Sequence, residues 1–191
     1  MSLPPPPADQ QRPDAVPEPL PASGEALRLA LRDLPSPVVV VTVDGEGRGA
    51  TIGSFASVSL DPPLVSFNVT HGTGFHGAIA EAQRWAVHLL SAGQAAVAEH
   101  FARPDLAAAD QLAPFGHVVG DGPPLLRGAL SILLCRPHAR FGAGDHTVFV
   151  GEVTGLVDGA GADPLLYFRQ SYRGVGDPVD GERGAGIGSP P

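Results

Sequence analysis

Gly49-Ala-Thr-Ile-Gly-Ser-Phe-Ala-Ser-Val-Ser-Leu-Asp-Pro-Pro63 is the most informative segment of this chain. It places small hydroxyl residues in a β-rich run, where the backbone can approach a bound molecule closely. We interpret 48–60 as a strand with an irregularity at Gly53, and Asp61-Pro-Pro63 predicts a turn after it. The side chains that offer uncharged hydrogen bonds here are Thr51, Ser54, Ser57 and Ser59.

A second stretch, Gly144-Asp-His-Thr-Val-Phe-Val-Gly-Glu-Val153, has a related character. His146 stands at the mouth of an apolar strand that the sequence predicts over 146–157. A histidine and several hydroxyl groups beside β-rich backbone suit a planar cofactor with polar edges better than a metal ion or a nucleic acid. The two stretches are therefore candidates for binding one small ligand.

The rest of the sequence supplies short strands that are joined mainly by turns. Ser23 is expected to cap a first helix that Pro35 and Pro37 end, and Trp85 and Phe149 are expected in the core. Further helices are expected after the Gly72–Gly77 loop, over 94–101 and over 105–112, and further strands over 38–43, 64–69, 84–90, 129–135, 138–140 and 165–168. Because turns rather than crossover helices join most strand pairs, we predict a mainly β, α+β fold: an antiparallel barrel with a few packed helices.

Composition excludes several classes of function. The chain has 191 residues, of which 43% are hydrophobic, and this is ample for the core of one domain. A formal net charge of −8 without any Lys/Arg-rich run argues against nucleic-acid binding. The sequence contains no lysine, which excludes a Gly-Lys-Ser/Thr phosphate loop and a Schiff-base lysine for pyridoxal phosphate.

The ends of the chain and its single cysteine carry no expected chemistry. Residues 1–22 are rich in proline and 174–191 in glycine and proline, so both are expected to be disordered or flexible around a folded domain over 23–173. Cys135 stands in an apolar run and is expected to be a small buried side chain. No signal peptide or membrane-spanning run is apparent, so a cytoplasmic location is expected.

Gly72-Thr-Gly-Phe-His-Gly77 matches the dinucleotide-binding pattern G-x-G-x-x-G and follows a predicted strand. A Rossmann unit also requires an acidic residue at the end of the next strand, but the sequence there reads Leu89-Leu-Ser-Ala-Gly93. The many hairpins also disfavour a doubly wound sheet. The loop remains a candidate phosphate site, because its glycines expose N–H groups that Thr70, Thr73 and His76 can supplement.

Histidine and serine residues raise two further hypotheses. His71 and His76 share a loop, but no acidic residue or cysteine nearby completes a metal site, so no metal is expected. A Ser-His-Asp hydrolase drawn from Ser54, His146 and Asp61 lacks the G-x-S-x-G elbow. From the residues alone, the sequence indicates a barrel-like domain that binds a polar small molecule.

Taken together, these stretches resemble the short-chain flavin reductases, the small components of two-component flavin-dependent monooxygenases. The segment 49–64 looks like the first signature of that family, and 144–153 looks like its second. The segment 164–173 resembles the C-terminal signature, and 122–129 falls into the order and spacing of the family. The resemblance extends over most of the part expected to fold.

The resemblance implies an FMN-binding split β-barrel of Greek-key type, usually a homodimer with flavin near the subunit interface. By it, the segment 51–59 would cradle the flavin ring and ribityl chain, the loop 68–76 would meet the phosphate, and His146 would be the catalytic residue beside flavin and nicotinamide. The cofactor-binding residues that the resemblance implies are Thr51, Ser54, Phe55, Ala56, Ser57, Ser59, Asn68, Thr70, Thr73, Phe75, His76 and Tyr172.

The implied function is that of an NAD(P)H:flavin oxidoreductase. NADH or NADPH would reduce FMN or FAD by hydride transfer, and the reduced flavin would pass to a partner monooxygenase; neither nucleic acid nor membrane is an expected partner. One alternative is a flavin-binding or storage module of the same fold without reductase activity. Another is a split-barrel oxidase acting on a small reduced substrate, which would require a basic phosphate-binding cluster that the lysine-free loops do not obviously supply.

Overall fold

The computed structural model of the protein describes residues 19, 21–45, 48–104, 106–115, 117–118, 120–159 and 163–177. The chain divides into two units, Met1–Leu31 and Arg32–Pro191. Most of the predicted flexible segments 1–22 and 174–191 lies outside the described residues, as does Asp105 in a predicted helix.

Short strands dominate the described elements. The helices are α1 (Gly24–Ala30), α2 (Gly74–Glu81), α3 (Ala95–Phe101) and α4 (Ala108–Gln111). The strands are β1 (Ser36–Pro37), β2 (Val39–Val43), β3 (Gly49–Ile52), β4 (Ala56–Leu60), β5 (Pro63–Thr70), β6 (Trp85–Leu89), β7 (His117–Val118), β8 (Leu125–Leu126), β9 (Ser131–Ala143), β10 (His146–Asp158), β11 (Leu166–Phe168) and β12 (Ser171–Arg173). Ser23 caps α1 as predicted, since its Oγ accepts a hydrogen bond of 3.1 Å from the Ala26 N–H.

The main sheet has seven strands in the order β3-β2-β6-β9-β10-β5-β4, and all of its described pairs are antiparallel. β2 lies between β3 and β6 and is buried at every position, which explains its unbroken run of β-branched residues. A doubly wound parallel sheet is therefore excluded for the described residues. The mainly β fold with a few helices is confirmed.

The interpretation of 48–60 as a single strand is wrong. The chain forms two strands, β3 and β4, which lie at opposite edges of the seven-stranded sheet. Between them, the Ser54 Oγ accepts a hydrogen bond of 2.9 Å from the Asn68 N–H of β5, so this short connection joins both edges. β4 then turns back onto β5 through Asp61-Pro62, a cis peptide bond, where the turn was predicted.

Two further predicted strands, 129–135 and 138–140, are parts of one long strand. β9 runs without a break from Ser131 to Ala143 and pairs with β10 along its length. Pro137 suggested a break, because proline lacks the N–H that a strand ladder uses. The register between β9 and β10 shifts at Val150/Gly151, opposite Pro137, so an irregularity accommodates the proline within the strand.

Aromatic side chains fill the core on one side of the sheet. The Phe67 and Phe149 rings stack with centroids 6.0 Å apart, and Trp85 meets Phe67 edge-on at 6.1 Å. A Cβ at Gly151 would lie 2.7 Å from the Trp85 ring, so this position requires glycine. Trp85, Phe149 and Cys135 are all buried, which confirms the predictions for them.

A buried histidine connects the sheet to its neighbouring hairpin. His88 on β6 is fully buried; its Nδ1–H donates to the Val40 carbonyl at 2.9 Å, and its Nε2 accepts from the Leu126 N–H at 3.1 Å. Burial lowers the pKa of His88 from 6.5 to about 4, and the hydrogen bond to Val40 opposes this only in part. Among the described helices, none combines the length and the hydropathy that a bilayer-crossing segment needs.

Candidate functional site

A cleft of about 400 Å³ opens at the end of the sheet where the β3–β4 connection meets β5 and β10. It brings the two stretches singled out in the sequence onto one cavity, since residues 51–54 and His146 both line it. The predicted site residues that line this cleft are Thr51, Ser54, Asn68, Thr70, Thr73, Phe75 and His146.

The hydroxyl groups of the first stretch are engaged by the protein itself. Thr51 Oγ1 donates to the Ala98 carbonyl of α3 at 2.7 Å, and Ser54 Oγ accepts from the Asn68 N–H at 2.9 Å. The Thr51 hydroxyl therefore has no second proton to donate to a ligand. The hydroxyl groups of Thr51 and Ser54 hold the β3–β4 connection at the wall of the cleft, and the role of the first stretch as a ligand partner stays a prediction.

Two hydrogen bonds hold His146 by both of its ring nitrogens. Its Nδ1 lies 2.7 Å from Asp145 Oδ1, and its Nε2 lies 3.0 Å from Thr70 Oγ1. The pairing of β10 with β5 places His146 directly opposite Thr70. The hydrogen bond from His146 lowers the pKa of the exposed Asp145 carboxyl group. The result is a connected series of carboxylate, imidazole and hydroxyl that ends at the cleft.

Two more histidines share a single hydroxyl group beside this series. Thr147 Oγ1 lies 3.0 Å from His71 Nε2 and 2.9 Å from His76 Nε2. A hydroxyl carries one proton, so with neutral rings it donates to one histidine and accepts from the other. His71 is tied to the same turn through its N–H, which donates to the Asp145 carbonyl at 2.9 Å.

The N-terminus of α2 forms another part of the cleft. Thr73 caps the helix, since its Oγ1 accepts from the His76 N–H at 3.1 Å. The Arg48 guanidinium lies against the first turn of α2, since a Cβ at Gly74 would lie 2.8 Å from its Nη1. The positive charge of Arg48 and the helix dipole of α2 therefore both favour an anion at the first turn of this helix.

Arg48 and Arg103 both line the cleft, and sequence reasoning missed them. The lysine-free loops showed no basic cluster, because the two arginines are far apart in the chain and the fold brings them to one cavity. A buried glutamine was also missed: Gln111 Oε1 accepts from the Gly49 N–H at 2.9 Å and fixes the start of β3. The only signal in the sequence was that Arg48 directly precedes the first stretch.

The other predicted site residues lie away from the cleft lining. Phe55 is partly buried and packs against the main core, and His76 is held by Thr147. Tyr172 lies on β12, with its ring centroid 5.3 Å from that of Tyr167. The residues on β4, at the edge of the sheet, are Ala56, Ser57 and Ser59.

The geometry also bears on the hydrolase and metal-site hypotheses. The Ser-His-Asp hypothesis is not supported, because the carboxylate partner of His146 is Asp145 rather than Asp61, and its hydroxyl partner is Thr70 rather than Ser54. Within the described ranges, no group of three or more histidine, cysteine or acidic side chains is arranged to hold a metal ion.

Comparisons with known proteins agree on one family. The profile of the flavin reductase-like domain matches residues 31–176. An NADH-dependent FAD reductase of Streptomyces globisporus is 38% identical over 165 residues, covering 83% of this chain and 90% of that protein. The reductase component of 4-hydroxyphenylacetate 3-monooxygenase from Thermus thermophilus is 38% identical over 152 residues, covering 78% and 95%.

The solved structures point the same way. The Streptomyces globisporus NADH:FAD oxidoreductase in complex with NAD and FAD fragments superimposes with a TM-score of 0.74 at 37% identity, covering 81% of this chain and 93% of that one. The flavin reductase component of a bacterial two-component tryptophan halogenase gives a TM-score of 0.75 at 33% identity, covering 82% and 100%.

Proposed function

The chain belongs to the flavin reductase-like family, and from this premise we propose that it is an NADH-dependent flavin reductase that supplies reduced flavin to a partner monooxygenase. Its substrates are NADH and either FMN or FAD. The observation that carries the proposal is the cleft that the segment 51–54 shares with His146 and two arginines.

The lining of this cleft fits a flavin. A flavin combines a flat, largely apolar ring that has hydrogen-bonding edges with a flexible chain that ends in phosphate. Ile52, Val69 and Phe75 offer apolar surface, and Arg48 and Arg103 offer the cations that a phosphate requires. Arginine rather than lysine therefore supplies the positive charge at this cleft.

Each residue of the site has a task in this reaction. When bound, flavin supplies the redox chemistry by taking a hydride from the nicotinamide. The protein holds the two rings against each other: Thr51 and Ser54 fix the wall of the cleft, and Thr73 fixes the helix terminus at the phosphate. His146 orients the nicotinamide and lends positive charge when it is protonated.

We further propose a homodimer in the cytoplasm. Val58 and Leu60 on the edge strand β4 and Leu156 on the interior strand β10 leave large apolar side chains exposed, and a second copy of the chain would remove such surfaces from water. A cytoplasmic location gives the enzyme access to NADH. Light scattering of the purified protein tests the dimer, and a monomer at micromolar concentration would contradict it.

The function is tested by adding NADH or NADPH and then FMN, FAD or riboflavin to the purified protein, while nicotinamide absorbance is followed. We expect oxidation of NADH at a rate that increases with added flavin. A flavin store of the same fold would co-purify with flavin and consume no nicotinamide, so that result would overturn the reductase and favour the store.

A further inference from the structure

The series Asp145–His146–Thr70 has a defined direction of hydrogen bonding. Asp145, with its lowered pKa, accepts from His146 Nδ1 at 2.7 Å, which places a proton on Nδ1. In the neutral ring, Nε2 then has only a lone pair, so it accepts the Thr70 hydroxyl proton across 3.0 Å. Thr70 Oγ1 is left with lone pairs alone for a ligand in the cleft.

Protonation of His146 reverses the last of these bonds. The imidazolium carries a proton on both nitrogens, so Nε2–H donates to Thr70 Oγ1. The hydroxyl proton of Thr70 is then released and can be donated to the ligand. One proton on His146 therefore changes the group that Thr70 presents to the cleft from an acceptor to a donor, without any movement of the backbone.

Flavin changes in the complementary way when it is reduced, because it gains negative charge. We propose that Asp145, His146 and Thr70 form a proton-coupled relay that presents a hydrogen-bond acceptor to oxidised flavin and a donor to reduced flavin. This inference rests on the proposed function. The proton comes from solvent and resides on His146 Nε2, and Asp145 is a positioning residue that holds the ring and balances its charge.

The charges around His146 decide how easily it takes the proton. Asp145 contacts the ring directly, and the two other histidines nearby, His71 and His76, meet at Thr147 in the adjacent turn and helix. Arg48 and Arg103 add positive charge to the lining of the same cleft. An anionic ligand between these groups supplies the missing negative charge, so proton uptake is linked to binding of reduced flavin.

The experiment measures protons rather than turnover. Oxidised FMN and dithionite-reduced FMN are titrated anaerobically into the protein by calorimetry, in two buffers of different ionisation enthalpy, at mildly alkaline pH where reduced FMN is an anion. For the wild type we expect binding of reduced FMN to be accompanied by the uptake of about half a proton to one proton more than binding of oxidised FMN. For His146→Gln, which cannot be protonated, we expect no difference.

Two more variants separate positioning from a structural role. Asp145→Asn should lower the extra uptake to less than about half of the wild-type value, whereas Asp158→Asn, which removes the same charge at the exposed far end of β10, should not change it. Thr70→Val should lower the ratio of reduced to oxidised FMN affinity by about fivefold, and Thr70→Ser should restore it.

The relay is overturned if wild-type protein takes up equal numbers of protons with both forms of FMN, or if Asp145→Asn behaves like Asp158→Asn. Neither result depends on nicotinamide. If the protein shows the linked proton uptake but never oxidises NADH, the proposed reductase is refuted and the relay stands. If the protein oxidises NADH without the linked proton uptake, the relay is refuted and the reductase stands.

Discussion

His88 and His146 both lie on strands of the seven-stranded sheet, yet their surroundings are opposite. His88 is bound on both nitrogens by backbone groups of β2 and β8 and has no exposure to solvent. His146 is bound on both nitrogens by side chains, and 39% of its own side chain is exposed at the cleft. Backbone groups cannot ionise, so they fix one protonation state of His88. The side chains around His146 can adapt to a proton.

The largest expected effect is the loss of folding stability in acid that follows from the neutral, buried state of His88. Its pKa is lowered to about 4 in the folded protein and is 6.5 when unfolded, so the unfolded chain binds the proton more tightly. Stability is therefore complete above pH 6.5 and is lost as the pH falls towards 4, by about 3 kcal/mol in the free energy of unfolding. Urea unfolding at a series of pH values measures this loss.

The matched variants for this test are His88→Gln and His138→Gln. His88→Gln lowers stability at neutral pH but removes its own share of the acid dependence, and His138→Gln is the control that removes an exposed histidine instead. Wild-type and His88→Gln curves that run parallel from neutral to acidic pH would show that the buried ring is not the source.

The second largest effect is expected in the His146→Ala variant, and it concerns turnover rather than stability. We expect kcat/KM to fall by about tenfold or more, because orientation and charge at the cleft are lost. The affinity for oxidised flavin and the free energy of unfolding should change much less. Stopped-flow reduction and fluorescence titration measure the two quantities, and wild-type turnover would remove His146 from the mechanism.

The same comparison shows what the sequence could and could not predict. Local patterns sufficed for β2, with its β-branched run, and for the cap of α1 by Ser23. The split of 48–60 was missed because β3 pairs with the preceding β2 and β4 with the following β5, and only the fold places these two hairpins at opposite edges of the sheet. No local pattern distinguishes a histidine that backbone will bury, such as His88, from one that side chains will hold.

The sequence likewise predicted some residues of the site and missed others. Motif resemblance identified the two stretches that meet at the cleft, because they carry several functional residues in a fixed order. It missed Arg48 and Arg103, since single arginines have no pattern and only the fold brings them together. It also treated the hydroxyl of Thr51 as available to a ligand, although Ala98 of α3 engages it.

A smaller effect is expected at Arg48, the cation beside the first turn of α2. Arg48→Met should raise the KM for FMN about fivefold, because one phosphate contact is lost, and should leave the KM for riboflavin, which has no phosphate, unchanged. Arg136→Met is the control, since that arginine pairs with Glu152 at 2.8 Å outside the cleft lining. Equal changes for FMN and riboflavin would mean that Arg48 does not meet the phosphate.

The smallest effect is expected at Cys135, which faces Trp85 across β9 and β6 in the buried region. Burial raises the pKa of its thiol to about 12, so almost no thiolate is present at neutral pH, and the side chain is only 2% exposed. Iodoacetamide should therefore leave the folded protein unmodified and label one thiol per chain in denaturant, as mass spectrometry would show. Labelling of folded protein at the rate of a free thiol would mean that the sheet opens around Cys135 far more often than its packing allows. The contrast between a closed interior and an adaptable cleft would then lose its physical basis.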